Sequence, residues 1–284
     1  MHERVAVGGI CFPGESAREL TAHLRQLQPH RTSLVSAMLF AEGLPALRDV
    51  VDAGDWKLEY LMHPFLAPRQ LPERDAWEGA RTQLDAVIEA VTTLGGRSVY
   101  MLTGGRGGLT WEDAAEAFSE AIAPCVARAK DAGVTLMVEP ASTVFADIHI
   151  AHSLRDAVLL AEMADIGVCL DVFTCWTEAR LQQTIQRAAP RIHLMQVSDY
   201  VLGDRASPCR AVPGDGAIPL ARILGWALDA GYTGAFDLEL LGPRIDGEGR
   251  VAACARSARW ISDFMDGRGA QECLLSPSTG DGPG

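Results

Sequence analysis

Positive charge is scarce in this sequence. Its 25 Lys and Arg residues face 37 Asp and Glu residues, which gives a formal net charge of −12. Proteins that bind nucleic acids or anionic membranes need a basic surface to neutralise phosphates. The charge therefore argues against a nucleic acid or a membrane as partner. The net charge is compatible with a small-molecule substrate. One or two local arginines suffice to bind such a substrate, even when the substrate is anionic.

Long apolar runs, paired cysteines and linkers are also absent. No stretch approaches the ~18 consecutive apolar residues of a membrane span, and the N-terminus has neither the apolar core nor the cleavage site of a signal peptide. The seven cysteines are odd in number and include no CxxC pair, which is typical of reduced, buried thiols. No proline-rich or charged linker divides the 284 residues. We therefore expect a cytoplasmic protein built around one domain.

Strand-like and helix-like segments alternate along the chain. Eight short apolar runs, most of them continuous, are typical of strands covered on both faces of a parallel sheet. The predicted strands span residues 5–10, 33–39, 57–63, 98–102, 135–139, 167–171, 192–197 and 236–240. Eight β-α units in ~265 residues favour one closed (β/α)8 TIM barrel over an open sheet. We predict this α/β barrel over residues 1–266 and a flexible C-terminal tail over residues 267–284.

Helices are predicted between several of these strands. Ser16 and Glu19 form a capping-box pattern at the start of a helix over residues 16–27. The other predicted helices span residues 84–94, 111–131, 153–163, 177–188, 219–230 and 249–264. We expect Pro124 to kink its helix or to begin a new one. Gly231 and Gly267 occupy positions where helices end in a left-handed residue.

Polar side chains stand at the carboxyl ends of four successive predicted strands. They are Glu139, Asp171, Gln196 and Glu239, on strands five to eight in that order. In such barrels the chemistry lies at the carboxyl ends of the strands, so we expect three carboxylates and an amide to converge there. Converging carboxylates repel each other unless they are protonated or bind a cation. Oxygen ligands of this kind suit a hard divalent ion such as Mg²⁺ or Mn²⁺.

Five short motifs follow one another in this region: Val-Glu-Pro, Leu-Asp-Val-Phe, Gln-Val-Ser-Asp, Pro-Gly-Asp-Gly and Leu-Glu-Leu. In this order they resemble the sugar phosphate isomerase/epimerase family, the xylose isomerase-like TIM barrels, over about residues 1–266. The resemblance implies that Glu139, Asp171, Gln196 and Glu239 hold one divalent metal ion. It also implies that Arg210, just before the Pro-Gly-Asp-Gly turn, contacts substrate oxygens, and that the protein forms a homo-oligomer.

Two positions depart from the family pattern. The third metal ligand is usually a histidine and is Gln196 here, as in some branches that include 3-dehydroshikimate dehydratases. The residue three after the aspartate of strand six is usually a histidine and is Thr174 here. An amide oxygen in place of an imidazole shifts the expected preference from Zn²⁺ towards Mg²⁺ or Mn²⁺. Thr174 weakens the transfer of sugar-epimerase substrate contacts to this chain.

The predicted site implies enolisation of a carbonyl substrate. A bound metal would polarise the carbonyl and stabilise an enediolate. We expect Glu139 and Glu239 to act as acid and base, one removing the proton next to the carbonyl and the other returning a proton. The proton returns to the same carbon in an epimerase, to the neighbouring carbon in an isomerase, or to a leaving hydroxyl in a dehydratase. The residues leave these three outcomes open.

Further candidates belong to the predicted mouth of the barrel. His63 ends strand three, His149 lies in the loop after strand five, and Trp176 lies near the end of strand six as a candidate apolar wall. We predict substrate contacts for these three side chains. The glycine-rich loop over residues 104–108 is a candidate phosphate cradle with Arg106, although such loops are common without that role.

Three other functions fit parts of this pattern. A metal-dependent lyase acting on a cyclic or glycosidic ketone fits Gln196, and its product would have lost water or another leaving group. An apurinic-site endonuclease shares the barrel but needs histidine ligands where Gln196 and Thr174 stand, and a net charge of −12 opposes DNA. A non-catalytic barrel that acts as a subunit fits the loss of the usual histidines. Metal content separates this last alternative from the enzymes.

Overall fold

Eight parallel strands close into a barrel in the computed structural model, which describes residues 1–275 and, within them, the side chains of residues 1–268. The strands are β1 Val5–Ala6, β2 Arg31–Val35, β3 Lys57–Pro64, β4 Ser98–Leu102, β5 Thr135–Val138, β6 Gly167–Asp171, β7 Ile192–Val197 and β8 Ala235–Leu238. Neighbouring strands follow sequence order and are parallel, and β8 pairs with β1 to close the sheet. The predicted single (β/α)8 barrel is confirmed.

Helices connect the strands and cover the outside of the barrel. They are α1 Ala17–Leu27, α2 Ser36–Val51, α3 Trp77–Thr93, α4 Trp111–Asp131, α5 Leu154–Ala164, α6 Val172–Cys175, α7 Leu181–Ala188, α8 Leu220–Asp229, α9 Pro243–Glu248 and α10 Arg250–Leu275. Ser16 and Glu19 form the predicted capping box at the start of α1. Gly231 follows α8 with a φ of 92°, as its position predicted. None of the helices in the described residues is long and apolar enough to cross a membrane.

The segment after β2 differs from the prediction. β2 ends at Val35, and residues 36–39, predicted as strand, begin α2 instead. A short apolar run does not distinguish a buried strand from a buried helix. Gly43 and Pro45 interrupt the helical periodicity of α2, so the sequence alone predicts no helix there. Gly43 adopts a φ of 83°, so the path of the helix breaks at this residue.

One predicted helix end is wrong, and one helix keeps its predicted bounds. α4 spans Trp111–Asp131 as predicted, and Pro124 lies inside it without beginning a new helix. A proline lacks the N–H that would bond the carbonyl four residues earlier, and that carbonyl, on Glu120, accepts a hydrogen bond from Arg81 Nη2 at 3.3 Å instead. Gly267 does not end α10, which continues to Leu275. The predicted tail over 267–284 therefore begins within a helix, and its residues 276–284 lie outside the described residues.

The interior of the barrel supports the mouth from below. An apolar cluster inside the barrel includes Met137 on β5, Cys169 on β6 and Leu194 on β7. Side chains alternate along a strand, so the residue two positions further on points in the same direction. In these three strands that residue is Glu139, Asp171 and Gln196 in turn. On β8 the same alternation places Asp237 and then Glu239 in line with Ala235, which also belongs to this cluster. The four predicted ligands therefore lie directly above the apolar cluster, which is called the apolar floor below.

Candidate active site

Four polar side chains converge at the carboxyl ends of β5 to β8. Asp171 on β6 pairs in register with Gln196 on β7, and Gln196 pairs with Asp237 on β8. Glu139 directly follows β5, and Glu239 directly follows β8. The side-chain set Glu139, Asp171, Gln196 and Glu239 is buried, with no member more than 8% exposed. The three carboxylates line a cavity of about 420 Å³ at the mouth of the barrel.

Arg210 is the cation that faces these carboxylates. Its Nη1 and Nη2 donate to Asp171 Oδ1 and Oδ2 at 3.0 and 2.9 Å, and Nη2 lies 2.8 Å from Glu239 Oε1. Nη1 also donates to Ser198 Oγ at 3.0 Å. The Phe173 ring lies 4.5 Å from the guanidinium carbon. Arg210 therefore forms a bidentate, charge-assisted pair with Asp171, and it also lines the cavity, where a ligand would meet it.

Asp199 fixes the loop that carries Arg210. Its carboxylate accepts hydrogen bonds at 2.8–3.0 Å from four backbone N–H groups, those of Tyr200, Gly214, Gly216 and Ile218. The backbones of Asp199 and Ala211 also exchange two hydrogen bonds of 2.8 Å. A Cβ at Gly216 would collide with the Asp199 carboxylate. The Pro-Gly-Asp-Gly motif thus wraps around Asp199 and sets the position of Arg210.

Both glutamates have raised pKa values. Burial raises the pKa of Glu139 well above its ordinary value, the negative charges of Glu239 and Asp171 raise it further, and Arg210 opposes the rise. Burial also raises the pKa of Glu239, to about 7, with Arg210 opposing the rise and Asp171 adding to it. Buried carboxyl groups with raised pKa values suit acid–base work near neutral pH.

The donor atoms of the site fit a hard divalent cation. Glu139, Asp171 and Glu239 supply carboxylate oxygens and Gln196 an amide oxygen, which are ligands that Mg²⁺ and Mn²⁺ prefer. Glu239 Oε2 is buried without a hydrogen-bond partner in the described part of the chain, and such atoms are rare in folded proteins. Gln196 Oε1 accepts the Cys169 thiol at 3.2 Å, so its oxygen would reach an ion only after the amide turns over. Across residues 1–268 no group of three His, Cys, Asp or Glu side chains is already arranged around a metal position. Arg210 engages two of the three carboxylates, so an ion held by the whole set would replace Arg210 as their partner.

The two histidines predicted to contact substrate lie behind the mouth and are not among the described residues that line the cavity. His63 Nδ1 lies 2.9 Å from Ser36 Oγ, and burial lowers the His63 pKa to about 4. Alternation along β3 explains its place, because the preceding residue, Met62, is the one that lines the cavity. His149 accepts the Thr103 N–H at Nδ1 (3.1 Å), so its Nε2–H donates to the Glu139 carbonyl oxygen (2.7 Å). It orients the backbone of Glu139.

The apolar wall beside β6 is Phe173 rather than Trp176. Phe173 lines the cavity, whereas the Trp176 ring packs near Tyr200, with ring centroids 6.3 Å apart. Thr174 also lines the cavity, and its hydroxyl donates to Asp171 Oδ2 at 2.6 Å. Sequence reasoning missed Phe173 and Ser198, although both residues stand inside the motifs Leu-Asp-Val-Phe and Gln-Val-Ser-Asp.

The glycine-rich loop after β4 is filled by neighbouring loops and does not form the predicted phosphate cradle. Gln70 Oε1 accepts the Gly107 N–H at 3.1 Å. A Cβ at Gly105 would collide with the carbonyl oxygen of Asp147 and with the Gln70 side chain. The glycines therefore serve the close approach of three loops, and Arg106 is exposed outside the cavity.

A comparison with family models decides the family. The model described as the xylose isomerase-like TIM barrel matches residues 17–264. The chain belongs to this family. The match spans all strands from β2 to β8 and includes the five motifs around the mouth, so the resemblance read from the sequence is confirmed.

Solved structures of the xylose isomerase-like fold resemble the chain over nearly its whole length. A protein from Sinorhizobium meliloti 1021 has a TM-score of 0.79 and 23% identity, and the match covers 90% of this chain and 98% of that one. The IolI protein, solved with a bound zinc atom, has a TM-score of 0.78 and 14% identity over 93% and 98%. An L-ribulose 3-epimerase has a TM-score of 0.77 and 17% identity over 98% and 99%. At these identities the likeness shows the fold alone. No curated protein matches the sequence.

Proposed function

We propose that the protein is a divalent-metal-dependent isomerase or epimerase that moves a proton next to the carbonyl of a sugar-like substrate. The observation that carries the proposal is the placement of Glu139 and Glu239. Both are buried, both line one cavity, and they follow strands that lie three places apart around the barrel. A substrate held between them meets a carboxyl group on either side, which is what proton removal and return require.

The positions of the two glutamates support a shared acid–base role. They face the cavity from different strands, so one can remove the proton next to the carbonyl while the other returns a proton. Positioned acids and bases of this kind each accelerate a reaction by typically ~10²–10⁴-fold.

Glu139, Asp171, Gln196 and Glu239 are the residues that would hold the metal, and Mg²⁺ or Mn²⁺ suits their oxygen donors. When bound, the ion supplies Lewis-acid stabilisation of negative charge on the substrate oxygen. Arg210 places a permanent positive charge beside the same carboxylates. The apolar cluster below and Phe173 beside the cavity give this side an apolar boundary, and charges near such a boundary interact more strongly than in water.

A carbon–oxygen lyase is the second candidate. Thr174 lines the cavity with its hydroxyl bonded to Asp171, and Phe173 provides an aromatic wall beside it. An aromatic wall suits a ring substrate, from which the same enolisation step can expel a hydroxyl. The two candidates share Glu139 and Glu239 and differ in where the proton returns.

The mass of the product separates the two candidates. Purified protein is incubated with ketoses and with ring ketones in the presence of Mg²⁺ or Mn²⁺, and the products are examined by mass spectrometry and NMR. We expect products of unchanged mass that differ in configuration or carbonyl position. Loss of water from the substrate would support the lyase instead. Failure of every carbonyl compound to react in metal-loaded protein would contradict both.

A further inference from the structure

Two exposed apolar side chains line the outer end of the cavity. Val144 and Phe145 follow one another in the segment between β5 and α5 and are 65% and 40% exposed. Both line the same cavity as the buried Glu139 and Glu239. Large apolar side chains that are exposed side by side in a concave surface are typical of a site that binds a ligand or a partner. The proposed acid–base step uses neither of them.

The turn that carries these two side chains is tied to the loops beside it. It is a short 3-10 helix over Thr143–Phe145. Directly after it, the carbonyl oxygen of Asp147 accepts a hydrogen bond from Gln70 Nε2 at 2.8 Å. The carbonyl oxygen of Ile148 accepts the Gly104 N–H at 2.9 Å. These bonds hold the turn against the loop after β4, so its two apolar side chains have a defined place at the outer end of the cavity.

The cavity changes in polarity from its inner to its outer end. The charged side chains of the proposed site are buried and form the inner end; they are Glu139, Asp171, Arg210 and Glu239. Most of the lining residues that are at least partly exposed are apolar, among them Ile10, Val144, Phe145, Ile148, Pro208 and Leu241. A divalent ion bound by the carboxylates would preserve this contrast, because the ion adds a polar partner at the inner end.

A free sugar matches only the inner end. Its hydroxyls pair there with the charged side chains and with a bound ion, whereas Val144 and Phe145 stay in water. Ser142, Arg205 and Ser207 also line the cavity, but they are exposed or half-buried and remain solvated. The cavity volume of about 420 Å³ lies within the range of ~300–1,000 Å³ that is typical of pockets for drug-sized ligands. A ligand that reaches the outer end gains by removing the two apolar side chains from water.

We propose that the substrate carries an apolar aryl or alkyl substituent on its sugar-like body, and that Val144 and Phe145 bind this substituent at the outer end of the cavity. The carbonyl and hydroxyl groups of the same molecule then lie among the glutamates at the inner end. This inference rests on the proposed function for the reacting end of the substrate. The apolar subsite itself depends on the position and exposure of the two side chains.

Ligand pairs that differ only in an apolar group test the subsite without requiring turnover. The probes are the benzyl ethers of D-fructose at O1 and at O6, each paired with the methyl ether at the same oxygen. Their affinities for Mg²⁺-loaded protein are measured by ligand-observed NMR. We expect a benzyl ether to bind about tenfold more tightly than its methyl partner, because burial of an aromatic ring contributes that much to affinity.

Replacement of the two apolar side chains should remove this preference. In the double variant Val144→Ser with Phe145→Ser, we expect the benzyl and methyl ethers to bind within about twofold of each other. Both positions are exposed, so the urea midpoint should stay that of the wild type. Phe40→Ser is the matched control, because Phe40 is a 50% exposed phenylalanine on α2 that is not among the described residues lining the cavity. It should preserve the preference.

Several outcomes would overturn the subsite. They are equal or unmeasurable affinity of the wild type for benzyl and methyl ethers at both oxygens, an unchanged preference in the double variant, and loss of the preference in Phe40→Ser. Analytical ultracentrifugation of the same proteins tests whether the two side chains pack against a second copy of the chain. A wild-type oligomer that dissociates in the double variant would assign them to that interface and overturn the subsite.

Exchange of the protons next to the carbonyl with D2O, followed at equal and low probe concentrations, reports the chemistry separately. A preference for the benzyl ether that depends on Val144 and Phe145, with no exchange in any probe, would count against enolisation and support the subsite. Exchange that is equally fast in the methyl and benzyl ethers, and unchanged in the double variant, would support enolisation and overturn the subsite.

Discussion

Arg210 donates one hydrogen bond to each carboxylate oxygen of Asp171, at 3.0 and 2.9 Å. Thr174 adds a third donor to Oδ2 at 2.6 Å, and the Phe173 N–H adds a fourth to Oδ1 at 3.0 Å. Asp171 is therefore saturated by neighbours in the chain. Because a metal ligand needs a free lone pair, we expect Arg210 and a divalent ion to compete for this carboxylate.

Replacement of Arg210 by methionine tests this competition. The variant leaves the buried carboxylates of Asp171 and Glu239 without a counter-cation, so we expect the free energy of unfolding in EDTA to fall by about 3 kcal/mol. Saturating Mg²⁺ or Mn²⁺ should restore more stability to Arg210→Met than it adds to the wild type, because the ion no longer displaces an arginine. Urea unfolding with and without the metal measures both effects.

Arg256→Met is the control for Arg210→Met. Arg256 also contacts two acids, Asp215 and Glu248, but its side chain is 43% exposed. Such surface pairs contribute at most about 1 kcal/mol, and we expect no metal-dependent rescue. Equal stabilisation of Arg210→Met and the wild type by the metal would show that Arg210 and the ion do not share a site.

Gly105→Ala should disturb the loops around the mouth. Its Cβ would collide with the backbone carbonyl of Asp147, which cannot move as a flexible side chain does. We expect a loss of about 2 kcal/mol in the free energy of unfolding. Gly108→Ala is matched in the same loop and meets open space, so it should change stability by less than about 0.5 kcal/mol. Similar urea midpoints for the two variants would contradict the close packing at Gly105.

His63 should make stability depend on pH. Burial lowers its pKa to about 4 in the folded protein, whereas an unfolded histidine titrates near ~6.5. Between these values the unfolded chain binds more protons, so the free energy of unfolding falls as the pH falls through this window. From about pH 7 to about pH 5 the His63 contribution to this loss is about 2 kcal/mol.

His63→Asn removes this titration while keeping a polar partner for Ser36. We expect the variant to lose about 2 kcal/mol less than the wild type over the same pH range. His30→Asn, at an exposed position, should leave the pH dependence of the wild type unchanged. An identical pH dependence for His63→Asn and the wild type would mean that the pKa of His63 is the same in the folded and unfolded protein.

The barrel was predictable because its strands are continuous apolar runs that end at polar residues. β4, β6 and β7 have the predicted bounds to the residue. The same feature located Glu139, Asp171 and Glu239, since a carboxylate that ends an inward-facing run must lie at the mouth. α2 was missed because Gly43 and Pro45 break its helical pattern, and the apolar start of the helix has the composition of a strand.

Side-chain direction in loops was not predictable. The pairing of Arg210 with Asp171 depends on a loop held by four backbone hydrogen bonds to Asp199, a contact that no local pattern encodes. His63 shows a second limit, because a shift of one residue along a strand moves a side chain from the interior to the opposite face. Met62 occupies the cavity in its place.

Exchange of substrate α-protons with D2O measures most directly whether Glu139 and Glu239 act as acid and base. Metal-loaded wild type, Glu139→Gln and Glu239→Gln are compared on the same carbonyl compounds by NMR. Glu59→Gln is the control, since Glu59 is a buried glutamate near the start of β3 that pairs with Arg31. We expect deuterium to enter next to the carbonyl with the wild type and with Glu59→Gln, and each catalytic variant to be slower by ~10²-fold or more. Undiminished exchange in both Glu139→Gln and Glu239→Gln would contradict the assignment of these glutamates.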